Sequence, residues 1–184
     1  DSHAMTTSSA LSYYSNIITK LLSVSGLNVK ISSDATTTKE TVAYYNFLQA
    51  TERAGIERAL LSGVFAKGQL NELNMTQFIT LVTEQDTYLT NFYTFTNAKN
   101  KDYYSKQLNT PSIKEVHRLR QLVKDQPSQL NVDPEYWFIQ ATNRIAQLRK
   151  IEQRLGVELL ELAQTTSYPA ANSMILNITF STLL

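Results

Sequence analysis

Cysteine is absent from all 184 residues, which excludes disulfides and thiolate metal sites. Histidine is nearly absent. Residues 1–5, DSHAM, read as a cloning remnant outside the fold, so His117 is the one histidine left to a domain expected to span residues 6–184. A transition-metal site would need carboxylates at ligand spacing, and none shows it. No cofactor is expected. With 5 glycines and 4 prolines the chain has too little turn chemistry for a protein built of hairpins, so it should be mainly helical. An excess of one charge is also missing. Lys and Arg number 17 against 16 Asp and Glu, scattered without a basic stripe, which argues against nucleic acid as a partner. Residues 170–184 carry no charge, yet they fall short of the ~20 residues that cross a bilayer. They read as a packed terminal helix or as the approach to a membrane span.

Catalytic motifs are missing too. Gly63 and Gly68 have the spacing of a phosphate-loop pair, but Gln69 stands where the lysine belongs and no strand precedes it. No nucleophile-elbow sequence occurs, and His117 beside Arg118 reads as a surface or rim residue. The tyrosine pairs at 13–14, 44–45 and 103–104 read as caps on bundle ends or as the lining of a groove. The chain is not expected to be an enzyme.

What is present is helical periodicity. Tyr14, Ile17, Ile18, Leu21 and Leu22 fall on one stripe of a first helix over residues 11–27, and a second long helix should occupy about 39–65. Gly68, Asn71 and Asn74 mark a break. Asn74 and Gln77 have the spacing of a capping box for a third helix carrying Phe78, Leu81, Val82, Leu89 and Phe92 to about residue 98. Residues 100–109, NKDYYSKQLN, suit a further turn or two. Pro111 fits the first position of a short helix with Ile113, Val116, Leu119 and Val123. After a loop at 126–134, Pro134 opens a seam of Phe138, Ala141, Ile145, Leu148, Leu155, Leu159 and Leu162, about 28 residues long and interrupted by Glu152. Pro169 should kink or restart the chain. The expected fold is all-α, an up-and-down bundle of long antiparallel helices.

Within residues 48–68, LQATERAGIERALLSGVFAKG, small residues Gly55, Ala59, Ser62 and Ala66 share one side. Arg58 falls close to the apolar side of Phe47, Ala54, Leu61 and Phe65. Arg53 falls on the opposite side with Glu57 at i+4, the geometry of a solvated ion pair. By the same angles Arg120 lies between Ile113 and Val116, Arg118 points away, and Arg144 lies near Trp137 and Ile151. A guanidinium taken out of water needs matched partners because it cannot deprotonate. Glu52 and Glu152 are the candidate partners. Three arginines on or beside apolar faces against two such glutamates leave room for an external anion, since guanidinium forks suit a flat oxyanion.

The segment YYNFLQATERAGIERALLSGVFAKGQL resembles the NIT domain, a nitrate- and nitrite-sensing family. Its Glu-Arg-Ala-Gly-x-Glu-Arg-Ala core is matched by Glu52, Arg53, Ala54, Gly55, Glu57, Arg58 and Ala59, with Phe65, Ala66 and Gly68 following. Phe78, Leu81, Gln85 and Asp86, and later Trp137, Phe138, Ala141, Thr142, Ile145, Leu148 and Glu152, fit its other helices. The likeness runs over about residues 11–162. Thr51 stands where the family usually has a lysine. The resemblance implies a helical sensory module binding nitrate or nitrite through arginines, and it adds Arg53 to Arg58, Arg120 and Arg144 as ligand-binding candidates. It also implies attachment to a signalling output and, commonly, an extracytoplasmic (periplasmic) position between two membrane spans, as in a chemoreceptor. The expected assembly is a homodimer through the long helices, with a helix displacement carrying the signal. Two other readings stand beside it: a structural dimerisation bundle with no ligand, and a receptor for an organic or protein ligand in a tyrosine-lined groove.

Overall fold

The computed structural model describes residues 35–181, with side chains described to residue 162. The helix expected over residues 11–27 lies outside the described residues. Five helices follow one another: α1 Ala35–Lys67, α2 Glu72–Phe95, α3 Ala98–Gln107, α4 Pro111–Asp125 and α5 Pro134–Ser181. There is no strand among the described residues. The fold is an all-α bundle, as the scarcity of glycine and proline requires. None of its helices, over the described residues, is long and apolar enough to cross a membrane.

α1 is the central element. Its contacts Glu57 to Gln85 and Glu40 to Thr96 show α2 running antiparallel to it. Arg58 to Thr142 and Tyr44 to Gly156 show the same for α5. Gly68 ends α1 with a φ of 70°, the left-handed conformation that glycine adopts without a Cβ penalty, and its carbonyl accepts from the Leu130 N–H at 2.9 Å. α2 is capped by Asn71, whose side chain accepts from the Asn74 N–H at 2.8 Å. The capping box expected at Asn74 is therefore displaced by one turn, because Asn71 already supplies the acceptor. Thr96 closes α2, and Asn97 caps α3 by accepting from the Asn100 N–H at 2.9 Å. Pro111 opens α4, where its missing N–H costs nothing. α5 continues past Pro169 to Ser181 without the restart expected there.

The apolar core has two parts. One gathers Leu61, Val64, Phe65, Phe78, Val116 and Trp137, and the Trp137 indole donates to the Arg58 carbonyl at 3.0 Å. The other gathers Ala43, Phe47, Phe92, Ile145, Leu148 and Ile151, with Phe47 and Phe92 edge to face at 4.9 Å. The polar residues between them come from four helices.

Candidate functional site

Glu57 sits between Ala54 of one core part and Leu61 of the other, on a heptad-like run of Phe47, Ala50, Ala54, Glu57, Leu61 and Val64, all buried. Its side chain is only 1 % exposed. A carboxylate held out of water costs several kcal/mol unless donors replace the solvent, and here four hydrogen bonds do. Arg120 of α4 gives Nε to Oε1 and Nη2 to Oε2, both at 2.6 Å. Gln85 of α2 gives Nε2 to Oε2 at 3.0 Å, and Arg144 of α5 gives Nη1 to Oε2 at 3.4 Å. The Gln85 carbonyl in turn accepts from Arg120 Nη2 at 2.8 Å and Arg144 Nη2 at 2.9 Å. Burial by itself would raise the Glu57 carboxyl, but the Arg120 hydrogen bonds and the two guanidinium charges prevail and hold it below the usual carboxylate range.

Two cations share this one buried carboxylate, with Arg120 5 % and Arg144 6 % exposed. Burial, and then the repulsion of Arg120, push Arg144 down to about 10, so it remains charged at neutral pH. Arg120 Nη1 and Arg144 Nε make no hydrogen bond to the described residues. Neither nitrogen is sealed in packed core, since among the described residues no buried side-chain nitrogen or oxygen lacks a partner. Both arginines line a cavity of about 480 Å³ between α2, α3, α4 and α5. Tyr104 and His117 also face it. Burial raises the Tyr104 hydroxyl to about 12, whereas desolvation and the two guanidinium charges push His117 down. His117 stands at the exposed rim, as its neighbour Arg118 suggested. Asp86, also on the lining, is exposed.

The other two candidate arginines lie elsewhere. Arg53 gives Nε to Glu84 at 3.0 Å, reaches Glu52 at 3.3 Å, bonds Gln49, and lies over the Tyr88 ring at 4.9 Å. The surface pair expected between Arg53 and Glu57 does not form, because α2 covers that side of α1 and Glu57 turns into the core. For Arg120 and Arg144 the partners expected from Glu52 and Glu152 are replaced by Glu57. Arg58 is half-buried, donates to Thr142 Oγ1 at 2.8 Å and lies over the Phe138 ring at 4.7 Å. It has no carboxylate partner among the described residues. Burial and the charge of Arg149 lower its pKa. Arg118 is exposed and paired with Glu115 at 2.7 Å.

Glu57 as the hub, Gln85, and Arg149 beside Arg58 are the residues that the helical angles passed over. The signal for Gln85 is its place in the stripe of Phe78, Leu81, Val82, Leu89 and Phe92, where a polar side chain can only be satisfied from other helices. Among the described residues no group of three or more acidic or histidine side chains could hold a metal.

Comparison with known proteins agrees with this architecture. The family model described as nitrate and nitrite sensing, NIT, matches residues 1–160. The nitrate regulatory protein of Klebsiella oxytoca is 31% identical over 157 residues, which are 84% of this chain and 39% of that protein. The solved structure of the NasR transcription antiterminator superposes with a TM-score of 0.66 at 28% identity, over 72% of this chain and 36% of that one. The chain thus spans about two fifths of the length of the curated relative it matches. With the family match running through the α1 motif, the buried Glu57 hub and the first half of α5, the chain belongs to the nitrate and nitrite sensing family.

Proposed function

We infer that this domain senses nitrate or nitrite by drawing the anion onto Arg120 and Arg144 in the cavity. The observation that carries this is the charge balance: two buried guanidinium groups share one carboxylate, and each keeps a donor nitrogen without an acceptor among the described residues. Asp86 faces the same cavity from its exposed side and offsets part of that charge, and a planar monoanion would accept from Arg120 Nη1 and Arg144 Nε. Nitrate is weakly hydrated, so it gives up water more readily than a strongly hydrated anion.

Four helices meet on this cluster, one residue from each. An anion that competes with Glu57 for the guanidinium donors alters the seating of α4 and α5 against α1 and α2, and differential binding of two such seatings is what shifts a population. α5, 48 residues long, would carry that shift over about 70 Å at 1.5 Å per residue. Ile139 and Val157 lie five full turns apart on one exposed stripe of α5, with Leu160 beside them. This supports a homodimer seam along that helix. An output domain would lie outside these residues. An extracytoplasmic receptor with flanking membrane spans is one arrangement. A regulator of transcription is the other, and the likeness to a transcription antiterminator favours it.

A second reading places the anion at Arg58, because that guanidinium lacks a carboxylate and is repelled by Arg149. Thermal melts at constant ionic strength separate the two. If nitrate stabilises the wild type and not Arg144→Gln, the cluster is the site. Loss in Arg58→Ala alone would move the site to the α1–α5 face, and equal shifts with nitrate and chloride would remove nitrate sensing through either.

A further inference from the structure

The cavity is too large for the anion alone. A four-atom ion needs on the order of twice the ~30 Å³ occupied by a water molecule in the liquid, whereas the cavity holds about 480 Å³. Organic-ligand pockets run from roughly 300 to 1,000 Å³, with apolar walls and a few convergent polar groups. This cavity has that composition. Leu89, Leu108, Ile113 and Leu148 form apolar wall, and Tyr93 and Tyr104 add aromatic rings. Tyr104 is held in place by its ring contacts with Phe92 at 5.3 Å and Tyr93 at 6.3 Å. Arg120, Arg144 and His117 supply nitrogen groups, and Asp86, Thr90 and Thr94 complete the lining.

We propose that the same cavity takes a planar organic monocarboxylate, its carboxylate on Arg120 and Arg144 and its aromatic or branched body against the Leu89, Leu108 and Tyr104 wall. This inference rests on the anion-binding reading of the arginine end. A carboxylate presents two oxygens in a plane, as one edge of nitrate does, so it meets the same two free nitrogens, Arg120 Nη1 and Arg144 Nε. Its hydrocarbon body leaves water for apolar wall, which nitrate cannot do. The two ligands are therefore competitors, and the domain reads the balance between an inorganic oxyanion and an organic acid.

The test is a calorimetric titration of the whole chain with benzoate, acetate, benzamide and nitrate at fixed pH and ionic strength. Benzoate should bind at one site, at least tenfold more tightly than acetate. It should raise the apparent Kd of nitrate in proportion to its concentration, and benzamide, which has the same shape without the charge, should not bind. Leu108→Trp, which fills the apolar part, should weaken benzoate at least tenfold and leave nitrate within twofold. Nitrate binding with no benzoate competition would overturn this proposal and leave nitrate sensing standing. Benzoate binding to Arg144, shown by its loss in Arg144→Gln, without any nitrate binding would keep the carboxylate site and overturn both its competition with nitrate and nitrate sensing. Binding by neither ligand would overturn both.

Discussion

Arg120 and Glu57, 63 positions apart in the chain, face each other through two hydrogen bonds of 2.6 Å with both side chains out of water. Each group depends on the other, because neither charge is tolerable in the core by itself. Replacing Glu57 with glutamine leaves two guanidinium groups facing each other without a countercharge. Breaking a buried pair by removing one partner costs about 3–5 kcal/mol, and urea denaturation should show a loss of that size. A loss below about 1 kcal/mol would mean that the cluster is open to water.

The pH dependence follows from the same residue. The Glu57 carboxyl titrates below its ordinary range in the folded chain, so its contribution is fully present above the unfolded value of about 4.3 and is lost as pH falls through the folded value. The stability gap between the wild type and Glu57→Gln should therefore narrow as pH is lowered from 6 to 3. A gap independent of pH would place the ionisation elsewhere.

Arg53 makes a useful contrast. It is partly exposed and its partner Glu84 is 42% exposed, so water screens the pair. Arg53→Ala should cost about 1–2 kcal/mol, combining a screened ion pair and the Tyr88 ring contact with the donor lost to buried Gln49. A larger loss in the same denaturation measurement would show that Arg53 is sealed by something beyond this chain.

Nitrate at a hundredfold excess over its Kd should stabilise the folded domain by about 2.7 kcal/mol. Arg118→Ala should keep that gain, since exposed Arg118 is bound to Glu115 away from the cavity. Arg144→Gln should lose it. The melting temperature in nitrate against chloride, for each variant, reads this directly.

The start of α2 can be checked without a ligand. Asn71→Ala removes the acceptor for the Asn74 N–H and should cost about 1 kcal/mol, whereas Asn74→Ala should stay within about 0.5 kcal/mol. The reverse order would restore the cap to Asn74.

The helices themselves were legible in the residue pattern. Pro111 and Pro134 open helices, Gly68 closes one, and apolar residues three and four apart mark each buried stripe, because these are local properties of backbone and side chain. Burial of Arg120 and Arg144 was legible for the same reason, since each is flanked by apolar neighbours on its own helix. The partner was not. A helical wheel gives the angle of Glu57 relative to Phe47 and Leu61, but it does not say how many sides of α1 are covered. Only the packing of α2 on one flank and α5 on another turned the side of Glu57 from solvent into core and handed Arg53 to Glu84. Gathering Glu57, Gln85, Arg120 and Arg144 into one cluster depends on the relative register of four helices. That register is set by tertiary packing between segments far apart in the chain, which no local period encodes.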